Sequence, residues 1–289
     1  MTTAAAGSLY VVSTPIGNLG DMTFRAVEVL SSVALVVAED TRHSRHLLNH
    51  YKIATPLKSY HEHNEAKETP ALVARMIEGD SVALITDAGT PLVSDPGARL
   101  VSAAAAAGIK VIPVPGASSV LAALVACGLP SDRFTFFGFL ERKGKTRREE
   151  IERALSSEVT VVLFESANRL HATLSDLAAA GGGARNAAVA RELTKQFEEI
   201  RRGTVGELES HYSSESARGE VVILIEGKPA EKTSNQDAER LARELLSTGS
   251  SPREVIDRLL AIGTARNIAY KLAHARAGNG NDNTSDEEK

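Results

Sequence analysis

Four short, uninterrupted apolar runs limit most strongly how this chain can fold. They are "SLYVVS" (8–13), "VALVVA" (33–38), "SVALIT" (81–86) and "KVIPV" (110–114). A strand with one wet face alternates apolar and polar residues. A continuous apolar run has both faces covered, as parallel strands do between layers of helices. Helical patterns fill the gaps: "MTFRAVEVLSS" after the first run, a helix near 97–107, and another from about 117. The segment 8–114 therefore reads as an α/β domain with a mainly parallel sheet.

A second α/β block follows over about 117–227, with strands "RFTFFGF" (133–139), "VTVVLF" (159–164), "NAAVARELT" (186–194) and "GEVVILIEG" (219–227). Its last third runs strand, strand, short helix, strand, which predicts a partly antiparallel sheet. From about 231 the period changes. Ala238, Leu241, Ala242, Leu245 and Leu246 share one helical face, and Val255, Ile256, Leu259 and Leu260 share another. Ser251-Pro252-Arg253-Glu254 reads as an N-cap, an N1 proline and an N3 glutamate. The expected organisation is two α/β domains, 1–114 and 115–230, a C-terminal helical module, 231–276, and a polar, disordered tail, 277–289.

Composition removes several classes of function. One cysteine, Cys127, excludes a disulfide framework and a cysteine zinc site, and fits a reducing cytoplasm. No basic region precedes a long apolar run at the N-terminus, and nowhere do about 18 apolar residues run together, so neither a signal peptide nor a membrane span is expected. The net charge of −4 means that any nucleic-acid surface must be local.

In parallel α/β sheets, ligands sit beyond the carboxyl ends of the strands. Three glycine- and proline-rich connections fall there: Thr14 to Asp21, Asp87 to Gly97, and Pro113 to Ser119. Such loops can present main-chain N–H and C=O groups to a ligand, or can simply mark sharp strand-to-helix turns. No GxGxxG follows the first strand, and Gly144-Lys145-Thr146 lacks the upstream glycine of a phosphate-binding loop, so neither a dinucleotide nor a nucleoside triphosphate is expected.

Four polar clusters stand out. "AEDTRHSRHL" (38–47) can orient a polar substrate or supply a base, or can be an exposed helix start. "SYHEHNE" (59–65) carries an H-x-H pair, a weak metal signal with no third ligand in view, and more readily offers hydrogen-bonding groups for a cleft rim, or a solvated loop. In "ERKGKTRREEIER" (141–153) the positive charge of residues 142–148 is unrelieved and suits phosphate, although a charged helix start fits as well. "VARELTKQFEEIRRG" (189–203) is either a salt-bridged hairpin or a cleft wall.

Taken together and in this order, "STPIGNLGDMTFRAVEVL", "AEDTRHSRHLL", "HNE", "DAGTPLVSDPG", "VPGASS", "GLPSDRFTFFGFL", "FES", "ARELTK" and "GEVVILIEG" resemble the tetrapyrrole methylase superfamily. Within it they resemble the bacterial branch that methylates the 2′-hydroxyl of a cytidine in small-subunit ribosomal RNA. The resemblance runs from about residue 8 to 275. It implies S-adenosylmethionine in a cleft between two α/β domains, a homodimer and a C-terminal helical module. Carried over by position, it implies cofactor contacts at Pro15, Gly17, Asp87, Ala88, Gly89, Thr90, Val93, Ser94, Gly116, Ser118, Ser119, Phe164, Glu165 and Ser166. Thr90 stands where the superfamily has an aspartate, and Asn168-Arg169 where relatives often carry a histidine before the arginine.

For such a reaction, Arg42, His61 and Lys195 are expected to hold phosphate or ribose, with Asp40 or Glu192 taking the proton. Arg142, Lys143, Lys145, Arg147 and Arg148 are expected to grip flanking RNA, with Arg266 and Lys271 as further candidates. Two rival readings are a tetrapyrrole-precursor methyltransferase of the same superfamily and a non-catalytic nucleic-acid binder using the C-terminal helices.

Overall fold

A computed structural model describes residues 7–215, 217–229 and 235–275. The chain divides into two compact units, 1–228 and 229–289. Both sheets belong to the first.

The first sheet is built from β1 (Ser8–Val12), β2 (Leu35–Ala38), β3 (Leu57–Ser59), β4 (Val82–Ile85) and β5 (Lys110–Val114). Their order is β3-β2-β4-β1-β5 and every pairing is parallel. The continuous apolar runs are explained by burial on both faces. Along β4, Ala83 and Ile85 join one core with Ala26 and Leu30 of α1 (Phe24–Ser32) and Leu48 of α2 (Thr41–His50). Val82 and Leu84 face the opposite core, with Leu72 and Met76 of α3 (Glu65–Ile77) and Leu100 and Ala104 of α4 (Ala98–Ala106). The three-residue β3 was not expected, because a strand that short shows no periodicity.

The second sheet has the order β6-β7-β10-β8-β9, from β6 (Phe134–Phe139), β7 (Thr160–Ser166), β8 (Asn186–Arg191), β9 (Glu199–Thr204) and β10 (Glu220–Ile225). β6 and β7 are parallel and the other pairings antiparallel, as the strand, strand, short helix, strand pattern predicts. The short helix is α8 (Val205–Ser214), started by a capping box between Thr204 and Glu207. Val161, Leu163, Val221, Ile223, Ala187 and Val189 face a core closed by α6 (Gly144–Ser156), α7 (Leu170–Leu177) and α8. Their strand neighbours Val162, Val222, Leu224, Ala188 and Ala190 face α5 (Ser119–Cys127), through Val120, Ala123 and Leu124. Ile16, from the loop after β1, enters this same cluster and ties the two halves of the unit together.

The second unit has its own core. Ala238 and Ala242 of α9 (Asn235–Ser247) pack with Val255 and Leu259 of α10 (Pro252–Ala261) and Ala269 and Ala273 of α11 (Arg266–Ala273). The capping box at Ser251 and Glu254 forms as read, with the Ser251 N–H donating to Glu254 Oε2 at 2.8 Å. The tail expected to be disordered lies outside the described residues. Among those described, no helix is long and apolar enough to cross a membrane.

Leu163 is fully buried on a central strand of the second sheet. Leu163→Ala is expected to lower the unfolding free energy by about 3–4 kcal/mol, measured by urea titration.

Candidate active site

Strand direction determines where the two sheets can meet a ligand. β1, β2, β4 and β5 all end at the same edge. On the second sheet, β6, β7 and β8 end at one edge and the antiparallel β10 begins there, with Glu220 opposite Ser166 and Val221 opposite both Glu165 and Arg191. Between these edges lies a cleft of about 400 Å³. Its first wall carries Ile16, Glu39, the residues Asp87 to Thr90, and Val93 to Asp95. The second carries Phe139, Phe164, Glu165, Ser166, Leu193 and Glu220, with Ser118, Ser119 and Val120 at the start of α5.

The loop after β4 is shaped by backbone contacts. Thr14 and Gly89 exchange both main-chain hydrogen bonds, at 2.8 and 3.1 Å, so the loops after β1 and β4 are locked edge to edge. Gly89 has φ +79°, and an added Cβ would lie 3.3 Å from Ile16. Thr90 hydrogen-bonds Ser13 Oγ at 3.0 Å and the Ala117 carbonyl at 3.3 Å, joining the loops after β1, β4 and β5. Gly17 sits where a Cβ would fall 2.5 Å from Lys195 Cγ, so only glycine lets the first loop press against the loop after β8. Five described non-glycine residues have positive φ. Four of them, Leu92, Ser94, Glu192 and Thr194, flank this cleft in the loops after β4 and β8.

Eleven of the expected cofactor contacts line the cleft: Asp87, Ala88, Gly89, Thr90, Val93, Ser94, Ser118, Ser119, Phe164, Glu165 and Ser166. Pro15, Gly17 and Gly116 do not; Gly17 and Gly116 instead sit where a side chain would press on Lys195 and Ser13. The sequence reading did not assign Ile16, Phe139 and Leu193, which supply apolar wall, or the carboxylates Asp95 and Glu220, and it took Glu39 only as one acid of the 38–47 cluster. Burial pushes the Asp95 carboxyl above its ordinary range, Asp87 and Glu220 add to this, and a 2.8 Å bond from the Thr86 hydroxyl opposes it. Burial likewise raises Glu39, reinforced by Asp95 and Asp87 and opposed by His61.

Several expected roles need correction. Asp40 caps α2, accepting the Arg42 N–H at 2.8 Å and the Arg42 guanidinium at 3.0 Å. These bonds lower its pKa to about 2, which makes it a weak base. Glu192 is held by the Lys195 ammonium at 3.0 Å, which pulls its pKa down. Lys195 also pairs with Glu220, at 3.1 Å. Burial works against its charge, yet the bonds to Glu192 and Glu220 hold its pKa above the ordinary value. Arg42 is exposed outside the cleft lining. His61 lies beside Glu39 with its Nδ1 buried and without a hydrogen-bond partner among the described residues.

The basic cluster divides. Arg142, Lys143, Lys145 and Arg148 are exposed, and Lys145 pairs loosely with Glu149 at 3.4 Å. Arg147 is only 7% exposed. Its guanidinium bonds Asp176 at 2.8 Å, the Glu141 carbonyl at 2.9 Å and Thr173 Oγ1 at 2.9 Å, so it cannot grip RNA. The Thr173 hydroxyl in turn donates a hydrogen bond to the buried Glu165, at 2.6 Å. The residue expected on the surface thus supports the cleft wall from inside.

Residues 8–209 match the family described as Tetrapyrrole (Corrin/Porphyrin) Methylases. The chain belongs to that family of methyltransferases. It is 45% identical over 279 residues to the Ribosomal RNA small subunit methyltransferase I of Pseudomonas aeruginosa, spanning 95% of this chain and 99% of that protein. The protein of the same name from Synechocystis is 46% identical over 241 residues, 83% of this chain and 86% of its own length. Among solved structures, the uroporphyrin-III C-methyl transferase of Thermus thermophilus, complexed with S-adenosylhomocysteine, superposes with a TM-score of 0.55 at 18% identity. It covers 76% of this chain and 97% of its own, a likeness of fold.

Two outcomes check the site's electrostatics. Asp40 has a lower pKa folded than unfolded, so its stabilisation is present above pH 3.8 and is lost as pH falls through about 2. Asp40→Asn is expected to flatten that part of the acid-unfolding curve. Arg147→Ala is expected to cost about 2–3 kcal/mol in urea unfolding, since Thr173 and the Glu141 carbonyl lose their partner while Asp176 stays half in water.

Proposed function

We propose that this chain methylates the 2′-hydroxyl of a cytidine in small-subunit ribosomal RNA, with S-adenosylmethionine as methyl donor. The observation that carries the reading is the near full-length identity to proteins named ribosomal RNA small subunit methyltransferase I. The cleft supports it independently.

The lining residues fit the donor's chemistry. Ile16, Val120, Phe139, Phe164 and Leu193 offer apolar wall for an adenine ring. Backbone N–H groups at the start of α5, beside Ser118 and Ser119, suit its carboxylate. The carboxylates Asp87, Asp95 and Glu220 favour its two positive centres, the ammonium and the sulfonium. When bound, the donor supplies an electrophilic methyl group. What this chain must add is positioning: a ribose hydroxyl is a weak nucleophile, and in-line alignment is worth about 7–11 kcal/mol. The loops locked at Thr14 and Gly89, and again at Thr90, provide a rigid floor for it.

Arg142, Lys143, Lys145 and Arg148 supply local positive charge for phosphate, on a chain whose net charge is −4. A cytidine in structured RNA must leave its stack to reach a cleft of this size. Leu121 and Val125, exposed on one face of α5 by 55% and 82%, support self-association as a homodimer, to be read by light scattering.

The experiment is labelled methyl transfer to undermodified small ribosomal subunits, with free RNA and tetrapyrrole precursors as controls. Label in the subunit alone is expected; label in a precursor overturns the reading. Thr90→Trp is expected to weaken S-adenosylmethionine binding about tenfold or more by calorimetry, because the indole fills the cleft. Neutralising Arg142, Lys143, Lys145 and Arg148 together is expected to raise the KM for subunits about tenfold with donor affinity unchanged.

A further inference from the structure

Five carboxylates line the cleft: Glu39, Asp87, Asp95, Glu165 and Glu220. Their partners separate one from the rest. Asp87 accepts the Asp40 N–H at 3.2 Å, and Asp95 accepts the Thr86 hydroxyl at 2.8 Å. Glu165, 3% exposed, accepts the Ser166 N–H and the Thr173 hydroxyl and pairs with Arg169 at 3.2 Å. Glu220 pairs with Lys195. Glu39 accepts no hydrogen bond and forms no ion pair with any described residue.

Its place in the sheet explains the difference. Ala38 ends β2 opposite Ile85, so Glu39 emerges level with Thr86 and the start of the loop after β4. Glu39 turns into the cleft, whereas the next residue, Asp40, turns to cap α2.

We propose that Glu39 is the catalytic residue that accepts the proton of the substrate hydroxyl during methyl transfer. This rests on the ribose-hydroxyl reading above. The hydroxyl oxygen forms its bond to the methyl carbon as the carbon–sulfur bond breaks, leaving that electron pair on sulfur. The hydroxyl proton passes to a Glu39 carboxylate oxygen. One positive charge on sulfur and one negative charge on Glu39 disappear together, so the step balances without a further reactant.

The groups facing Glu39 suit this role. Asp95 and Asp87 from the loop after β4, and the neighbouring Asp40, place negative charge around it; His61, from the connection after β3, is the opposing group. Burial and like charge raise the proton affinity of a carboxylate, as a base drawing on a hydroxyl requires. Each of the other cleft carboxylates already has at least one donor or cation as a partner.

The test uses the full-length chain and Glu39→Gln, which keeps size and shape. S-adenosylhomocysteine affinity, read by calorimetry, is expected to stay within about threefold, while single-turnover methylation of undermodified subunits falls about 10²–10⁴-fold. The wild-type rate is expected to rise with pH through a carboxyl titration that Glu39→Gln lacks. In ¹³C-carboxyl-labelled protein, the signal absent from Glu39→Gln is expected to titrate above the ordinary glutamate range. A near-wild-type rate for Glu39→Gln, a persisting acid limb, a collapse of S-adenosylhomocysteine binding, or an ordinary or lowered titration midpoint each overturns the assignment. The position of the transferred methyl separates this from the reading beneath it. Wild-type methyl on a base rather than a ribose oxygen overturns the substrate, while ribose methylation undiminished in Glu39→Gln overturns Glu39 alone.

Discussion

A sheet buried on both faces can meet a ligand only at the ends of its strands, and this chain contains two such sheets. Val82 and Leu84 face one core while Ala83 and Ile85 face another. Leu163 and Val162 divide in the same way between the two cores of the second sheet. Along these central strands both faces are committed to packing. Polar chemistry is left to residues at or just past the strand ends: Glu39 and Asp87 one and two places beyond β2 and β4, Ser166 at the end of β7, and Ser118 at the turn into α5. The cleft follows from where strands stop.

That constraint also explains how much of the site was legible in the sequence. The glycine- and proline-rich loops after β4 and β5 were visible as strand-end turns, and the family resemblance aligned them with donor contacts. Eleven of those residues line the cleft. Legibility failed where the direction of a single side chain decided the matter. Glu39 and Asp40 are neighbours of one chemical class, and nothing in "AEDTR" says which enters the cleft and which caps the helix. The capping role was weighed for the segment but not assigned to a residue. Glu192 and Lys195 pair with each other across a turn whose backbone, with φ of +50° at Glu192, no propensity would have suggested.

Arg147 was misplaced for a different reason, and a signal was available. Arg147, Ile151 and Ala154 fall at helical spacing, i, i+4 and i+7, and all three are buried. Reading the segment by charge made it a basic loop; reading it by period would have placed Arg147 on the apolar stripe of α6. β3 and β9 were hard to delimit because each is short or strongly charged along its length. The C-terminal unit was the most legible part, since three amphipathic helices with a capping box need no long-range partner to reveal their pattern.

The left-handed backbone at Leu92, Ser94, Glu192 and Thr194 has a consequence for anyone selecting a sturdier variant. Each of these conformations costs about 1 kcal/mol or more with a side chain present and almost nothing with glycine. Glycine at these four positions would trade that strain against the packing of Leu92, the Glu192–Lys195 pair and the Asn18 N–H bond to Thr194. The same replacements would slacken both rims of the cleft, so a clone selected for heat resistance with glycine there needs assaying for turnover before anything else.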